Sequence, residues 1–111
     1  MSAEFREYLI NRDDGPDLRF TGRRIATAES SPDRQSCDYS GQIGCWDELE
    51  LYQTNAGNFV CVIENCYAGH RNERRAVVAN DASEVIDFFG QNWLAKILYG
   101  EAGIENVQDV A

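Results

Sequence analysis

The chain has 111 residues, 43% of them apolar, 26% charged and 11% aromatic, which is the composition of one ordinary globular domain and not of a chain that stays unfolded. Nineteen acids against ten bases and one histidine leave a formal net charge of −9. Such a field repels nucleic acid and anionic membranes and attracts basic surfaces, and the longest apolar run, Phe59 to Ile63, is far short of the ~20 residues a membrane helix needs.

The opening residues MSAEFREYLINRDD carry acids where a secretory signal carries a basic end and an apolar run. The expectation is a cytoplasmic protein whose four cysteines, Cys37, Cys45, Cys61 and Cys66, remain thiols. Phe5, Leu9 and Ile10 fall at roughly helical spacing before Asp13-Asp14-Gly15-Pro16 interrupts them, which reads as a short helix or a frayed terminus. LRFTGRRIATA, from Leu18 to Ala28, alternates loosely and reads as one strand or two short ones, with Gly22 at a bulge or turn. Residues 29–44 are polar and without period, a long loop.

The clearest element is CWDELELYQT (45–54). Its period of two sends Leu49 and Leu51 to one face and Trp46, Glu48, Glu50 and Tyr52 to the other. Asn55-Ala56-Gly57 supplies turn residues, and NFVCVIENCY (58–67) is apolar on both faces as far as Ile63, as a central hairpin strand is. After a polar loop from Ala68 to Glu73, RRAVVAN (74–80) reads as a further strand. At Asp81 the period changes. Asp81 and Glu84 stand at capping-box spacing ahead of the stripe Val85, Ile86, Phe88 and Phe89, closed by Gly90. A second helix begins after Asn92, with Trp93, Leu94, Ile97 and Leu98 on one side and an end near Gly100 or Gly103. These elements predict a single α+β domain over 1–111: an antiparallel meander of three to four strands followed by two C-terminal helices.

No pattern names a reaction. The cysteine spacings, C-x7-C and C-x4-C, do not match the paired units of zinc sites, so no metal is expected. Cys45 would lie opposite Cys66 only if Gln53 faces Asn58 across the hairpin turn; a three-residue turn, with Thr54 facing Asn58, removes that pairing. His70 sits in the polar stretch GHRNERR with no orienting group in view. Glu48 and Glu50 share a strand face, as acid–base pairs can and as solvated faces commonly do. GQIG and GNFVC lack the spacing and the lysine of a phosphate loop. The expectation is a non-enzymatic protein without cofactor. The arginine groups Arg19/Arg23/Arg24 and Arg71/Arg74/Arg75 are expected to pair with local acids, Asp17 and Glu73 among them, and not to bind nucleic acid.

Charge is unevenly placed. Residues 37–70 contain Asp38, Asp47, Glu48, Glu50 and Glu64 with no lysine or arginine. The face carrying Trp46, Glu48, Glu50 and Tyr52 combines carboxylates with the aromatic types enriched at interface centres. With Asp47 and Glu64 these residues form the candidate partner-binding set. The contrary expectation is that a C-terminal helix covers this face and buries its aromatics.

The segments RFTGRRIA (19–26), WDELELYQT with GNFVC behind it, and FFGQNWLAKILYGEAGI (88–104) resemble small uncharacterised proteins carried by proteobacterial plasmids and integrating mobile elements. The resemblance implies a mobile-element setting and no chemistry. In size and acidity the chain is similar to anti-CRISPR and anti-restriction inhibitors. The leading functional expectation is therefore an acidic inhibitor that occupies the basic nucleic-acid site of a host defence complex. The alternative is an adaptor or regulator, homodimeric through Trp46 and Tyr52, whose acidity serves solubility.

Overall fold

A computed structural model describes residues 5–30, 45–67, 72–107 and 110. Five strands, β1 (Arg6–Ile10), β2 (Leu18–Glu29), β3 (Cys45–Thr54), β4 (Phe59–Tyr67) and β5 (Glu73–Ala79), form one antiparallel sheet in the order β1-β2-β3-β4-β5. Helices α1 (Ala82–Phe89) and α2 (Trp93–Ala102) follow. The α+β meander with two C-terminal helices is as the sequence predicts, but the strands number five, not three to four.

The additional strand is β1, where the sequence suggests a short helix or frayed end. It pairs with β2 from Arg6↔Gly22 to Ile10↔Leu18. The long strand β2 is continuous, and its register shift falls between Arg24 and Ala26, not at Gly22. Gly22 instead permits a close approach. A Cβ there would collide with the Gln53 carbonyl oxygen and lie 2.9 Å from Thr54 Cα, so only glycine lets β2 come this near to β3. Residues 31–44 of the predicted loop lie outside the described residues.

The β3–β4 hairpin closes through Asn55-Ala56-Gly57. Gly57 takes φ +94°, and Thr54 N–H donates to the Asn58 carbonyl at 2.7 Å while Asn58 N–H donates to Thr54 Oγ1 at 3.0 Å. The turn is thus the three-residue form, and Cys45 is in register with Tyr67 while Trp46 faces Cys66. The cross-strand cysteine pairing considered from sequence is removed by one residue of register.

Both helices cap as their sequences suggest. Asp81 Oδ1 accepts from Glu84 N–H at 3.0 Å, and Glu84 Oε1 reaches back to Asn80 N–H at 2.7 Å, one residue before the cap. Asn92 Oδ1 accepts from Ala95 N–H, and α2 ends at Gly103 in the left-handed conformation. The buried stripe of α2 differs from expectation. Leu94, Ala95, Leu98 and Tyr99 face the sheet, while Trp93 and Ile97 are 46% and 52% exposed. The small Ala95 brings the helix close to Ala26 and Ala28 of β2, and the Tyr99 hydroxyl donates to the Gly90 carbonyl at 2.6 Å.

The helices cover only the face of the sheet that carries Ala26, Leu49, Leu51, Cys61 and Ile63. On the other face Ile10 packs with Val60, Val62 and Ala76, although β1 lies three strands from β4. The sheet must curl for these residues to meet. The β1–β2 turn completes the closure: Arg12 Nη1 donates to the Ala76 carbonyl at 2.7 Å, Asp13 N–H to the Arg74 carbonyl at 2.7 Å, and Arg74 N–H to Asp13 Oδ2 at 2.8 Å. Ala76 N–H reaches Asp14 Oδ1 at 3.4 Å. This clasp satisfies the outward backbone groups of β5 from Arg74 to Ala76 and leaves a half-barrel with an aromatic and aliphatic concave core.

Candidate partner-binding site

The six residues singled out from sequence separate into three environments. Tyr52 belongs to the concave core at 4% exposure. Its ring stands edge-on to Tyr8 and Phe20, with centroids 4.8 and 5.5 Å away. No helix covers it; β1 and β2 do, through the curl. Its hydroxyl donates to Glu50 Oε1 at 2.8 Å, and burial, together with that carboxylate, pushes its phenol well above its ordinary value. Tyr52 is therefore a structural residue, and a homodimer through its ring is not available.

Asp47 points the other way. It shares the parity of Leu49, accepts from Asn65 Nδ2 at 2.7 Å through Oδ1, and its backbone N–H donates to Ser30 Oγ at 2.9 Å. It cannot act with Glu48 and Glu50 on one surface.

Trp46, Glu48, Glu50 and Glu64 do share the concave face, all partly buried. Trp46 Nε1 donates to Glu48 Oε2 at 3.0 Å. Glu50 lies 3.8 Å from Arg24. Glu64 holds the Arg74 guanidinium at 2.8 Å and accepts from Asn72 Nδ2 at 2.9 Å. Burial alone would raise the Glu64 carboxyl, but the hydrogen bonds from Arg74 and Asn72 outweigh it and hold the group below its ordinary value. These two side chains line a recess of about 280 Å³ with Asn11, Arg12, Asp13 and Asn72.

Strand register adds a residue that sequence reasoning missed. Glu29 of β2 faces Glu48 of β3, which faces Glu64 of β4, which faces Arg74 of β5. Three carboxylates thus stand in one row across three neighbouring strands, about 4.8 Å apart per strand. Glu29 is exposed and Glu48 and Glu64 partly so. Glu29 and Glu48 stand 19 residues apart in sequence, and only the β2–β3 register brings them side by side.

The arginines pair locally, with partners other than those expected. Arg19 lies 3.8 Å from Glu7, Arg74 binds Glu64, and Arg75 stands 5.9 Å from the Phe88 ring centroid. Asp17 instead accepts from Asn11. Arg71 and His70 lie outside the described residues. Cys61 and Cys66 are free and buried; burial pushes the Cys61 thiol up to about 12, and burial with the nearby Glu48, Glu64 and Asp47 charges pushes Cys66 to about 11. Both are poor nucleophiles at neutral pH. Among the described residues no group of three or more His, Cys, Asp or Glu is placed to hold a metal ion, and no helix is long and apolar enough to cross a membrane.

No protein family, curated protein or solved structure matches the chain.

Proposed function

We propose that the protein is a non-enzymatic interaction domain whose carboxylate row Glu29–Glu48–Glu64 docks against a basic, nucleic-acid-binding surface of a partner complex. The row carries the reading. Like charges placed directly opposite one another on a sheet destabilise it, and here two such contacts follow in succession in a chain of net charge −9. A lysine-rich or arginine-rich partner relieves that repulsion on binding. The chain would compete with nucleic acid for the same cations, and the affinity would fall steeply with salt. The resemblance to mobile-element proteins points to a host defence complex, of the kind anti-CRISPR and anti-restriction proteins block, as the target class.

The test is capture from a bacterial lysate on immobilised protein at low and at raised salt. Nucleic-acid-handling complexes are expected on the wild type at low salt and in the raised-salt eluate. The Glu29→Lys/Glu48→Lys variant is expected to capture none of them; it leaves Glu64 in place because Arg74 depends on it. Undiminished capture by that variant would remove the row from the account. An adaptor whose acidity serves only solubility is the second reading, favoured by the exposed apolar side chains of β1.

A further inference from the structure

β1 is the open edge of the sheet, and its outward geometry follows from its neighbours. The Thr21 carbonyl accepts from Asn55 N–H, so Thr21 directs its backbone groups toward β3. Glu7, in register with Thr21, therefore turns its own N–H and C=O away from β2 and out of the sheet, and Leu9, two residues on, does the same. The side chains of Phe5, Glu7 and Leu9 share the convex face. Phe5 and Leu9 are 51% and 56% exposed there, beyond the cover of α2.

We propose that this edge pairs with the same edge of a second copy, antiparallel and centred on Glu7, to give a continuous ten-stranded sheet. Faces are preserved only if the two-fold axis passes through a residue, and of these registers the one centred on Glu7 lays both exposed apolar side chains, Phe5 and Leu9, against those of the other copy. Phe5 of each copy then stands directly opposite Leu9 of the other, so the two exposed apolar side chains of each edge cover those of its partner. The central Glu7 carboxylates face one another, and each has its own Arg19 at 3.8 Å. Arg23 lies on the same face, so the acidic pair is bracketed by arginines from both copies. On the concave face Arg6 falls opposite Tyr8. This pairing is independent of the carboxylate row and holds whether or not that row engages a partner.

Sedimentation velocity of the full chain over micromolar to millimolar concentration tests it. The weight-average mass should rise from 12.5 kDa toward twice that value. Leu9→Glu should weaken the association at least about tenfold, since it places four acids together at the seam, without changing the thermal melt, because the side chain is exposed. As a check that does not rely on Leu9, Glu7→Cys should form a reducible dimer that wild type does not form under the same oxidant, the Cα separation of about 5.5 Å in such a pair lying within disulfide range. A chain that stays monomeric throughout, an association unaffected by Leu9→Glu, or a Glu7→Cys chain that does not cross-link would each overturn the proposal.

Discussion

On the helix side of the sheet Leu51, Cys61, Leu98 and Tyr99 lie at 0–1% exposure beneath a separate layer of α1 and α2. On the concave side Val60 and Val62 are as deeply buried, at 1% each, with no second layer above them. The helix side is closed by apolar stripes at helical spacing, a device written locally in the sequence. The concave side is closed by the sheet itself, because β2 twists enough to bring Tyr8 and Ile10 over β3 and β4 and a polar clasp holds the turn against β5. One kind of core depends on complementary surfaces, the other on curvature and on the hydrogen bonds that maintain it.

The largest effect is expected on the helix side. Leu98→Ala empties a position at 0% exposure and should cost about 2–5 kcal/mol in denaturant unfolding. The concave packing and the clasp, read by hydrogen exchange at Arg74–Ala76, should be lost only in that same global transition; their loss in a separate, earlier transition would mean that the two cores are not independent. A smaller effect is expected where the curl begins. Gly22→Ala drives a methyl against the Gln53 carbonyl and should cost about 1–3 kcal/mol. Hydrogen exchange should rise first along β1 and at Arg74–Ala76, with α1 and α2 still protected; uniform loss of protection would contradict a separable concave unit.

The smallest is at the rim. Glu64→Gln removes the anionic partner of Arg74 and should cost about 1 kcal/mol at neutral pH, the low end for charge-assisted bonds because water reaches the guanidinium. The sign with pH follows from the lowered Glu64 carboxyl: its stabilisation is complete above the ordinary value of 4.5 and is lost as pH falls through the lowered one. Urea melts of wild type and variant should therefore converge on acidification, and a gap that widens in acid would assign the opposite role to this carboxylate.

The same contrast explains what is legible in the sequence. Both strands of the β3–β4 hairpin, the strand after it, the cap of α1 and the two-sided burial of β4 are local patterns, and they can be read directly. β1 cannot, because Phe5 and Leu9 stand four apart, a spacing that satisfies both a helical period of 3.6 and a strand period of two. The stripe of α2 reads about one residue off: Trp93 and Ile97 are the more apolar pair, yet the close approach to Ala26 and Ala28 selects Ala95 and Tyr99. Alternation puts Tyr52 correctly on the face opposite Leu51 but does not show that this face curls inward. Of the six candidate site residues, Trp46, Glu48, Glu50 and Glu64 share that face and remain partly open on it. Asp47 joins the set through charge alone, and Glu29 escapes it because its place beside Glu48 is a matter of register.

The clasp also governs how this sheet meets other polypeptides. An open sheet has two templating edges and can extend from both, which is the route to unlimited strand-by-strand growth. Here Arg12, Asp13 and Asp14 already occupy the backbone groups of β5 from Arg74 to Ala76. Among the described residues the β1 side alone leaves its backbone groups open along its length, so the proposed edge pairing would end after one addition, and a turn at the far end of the first hairpin works against fibril growth from the other edge.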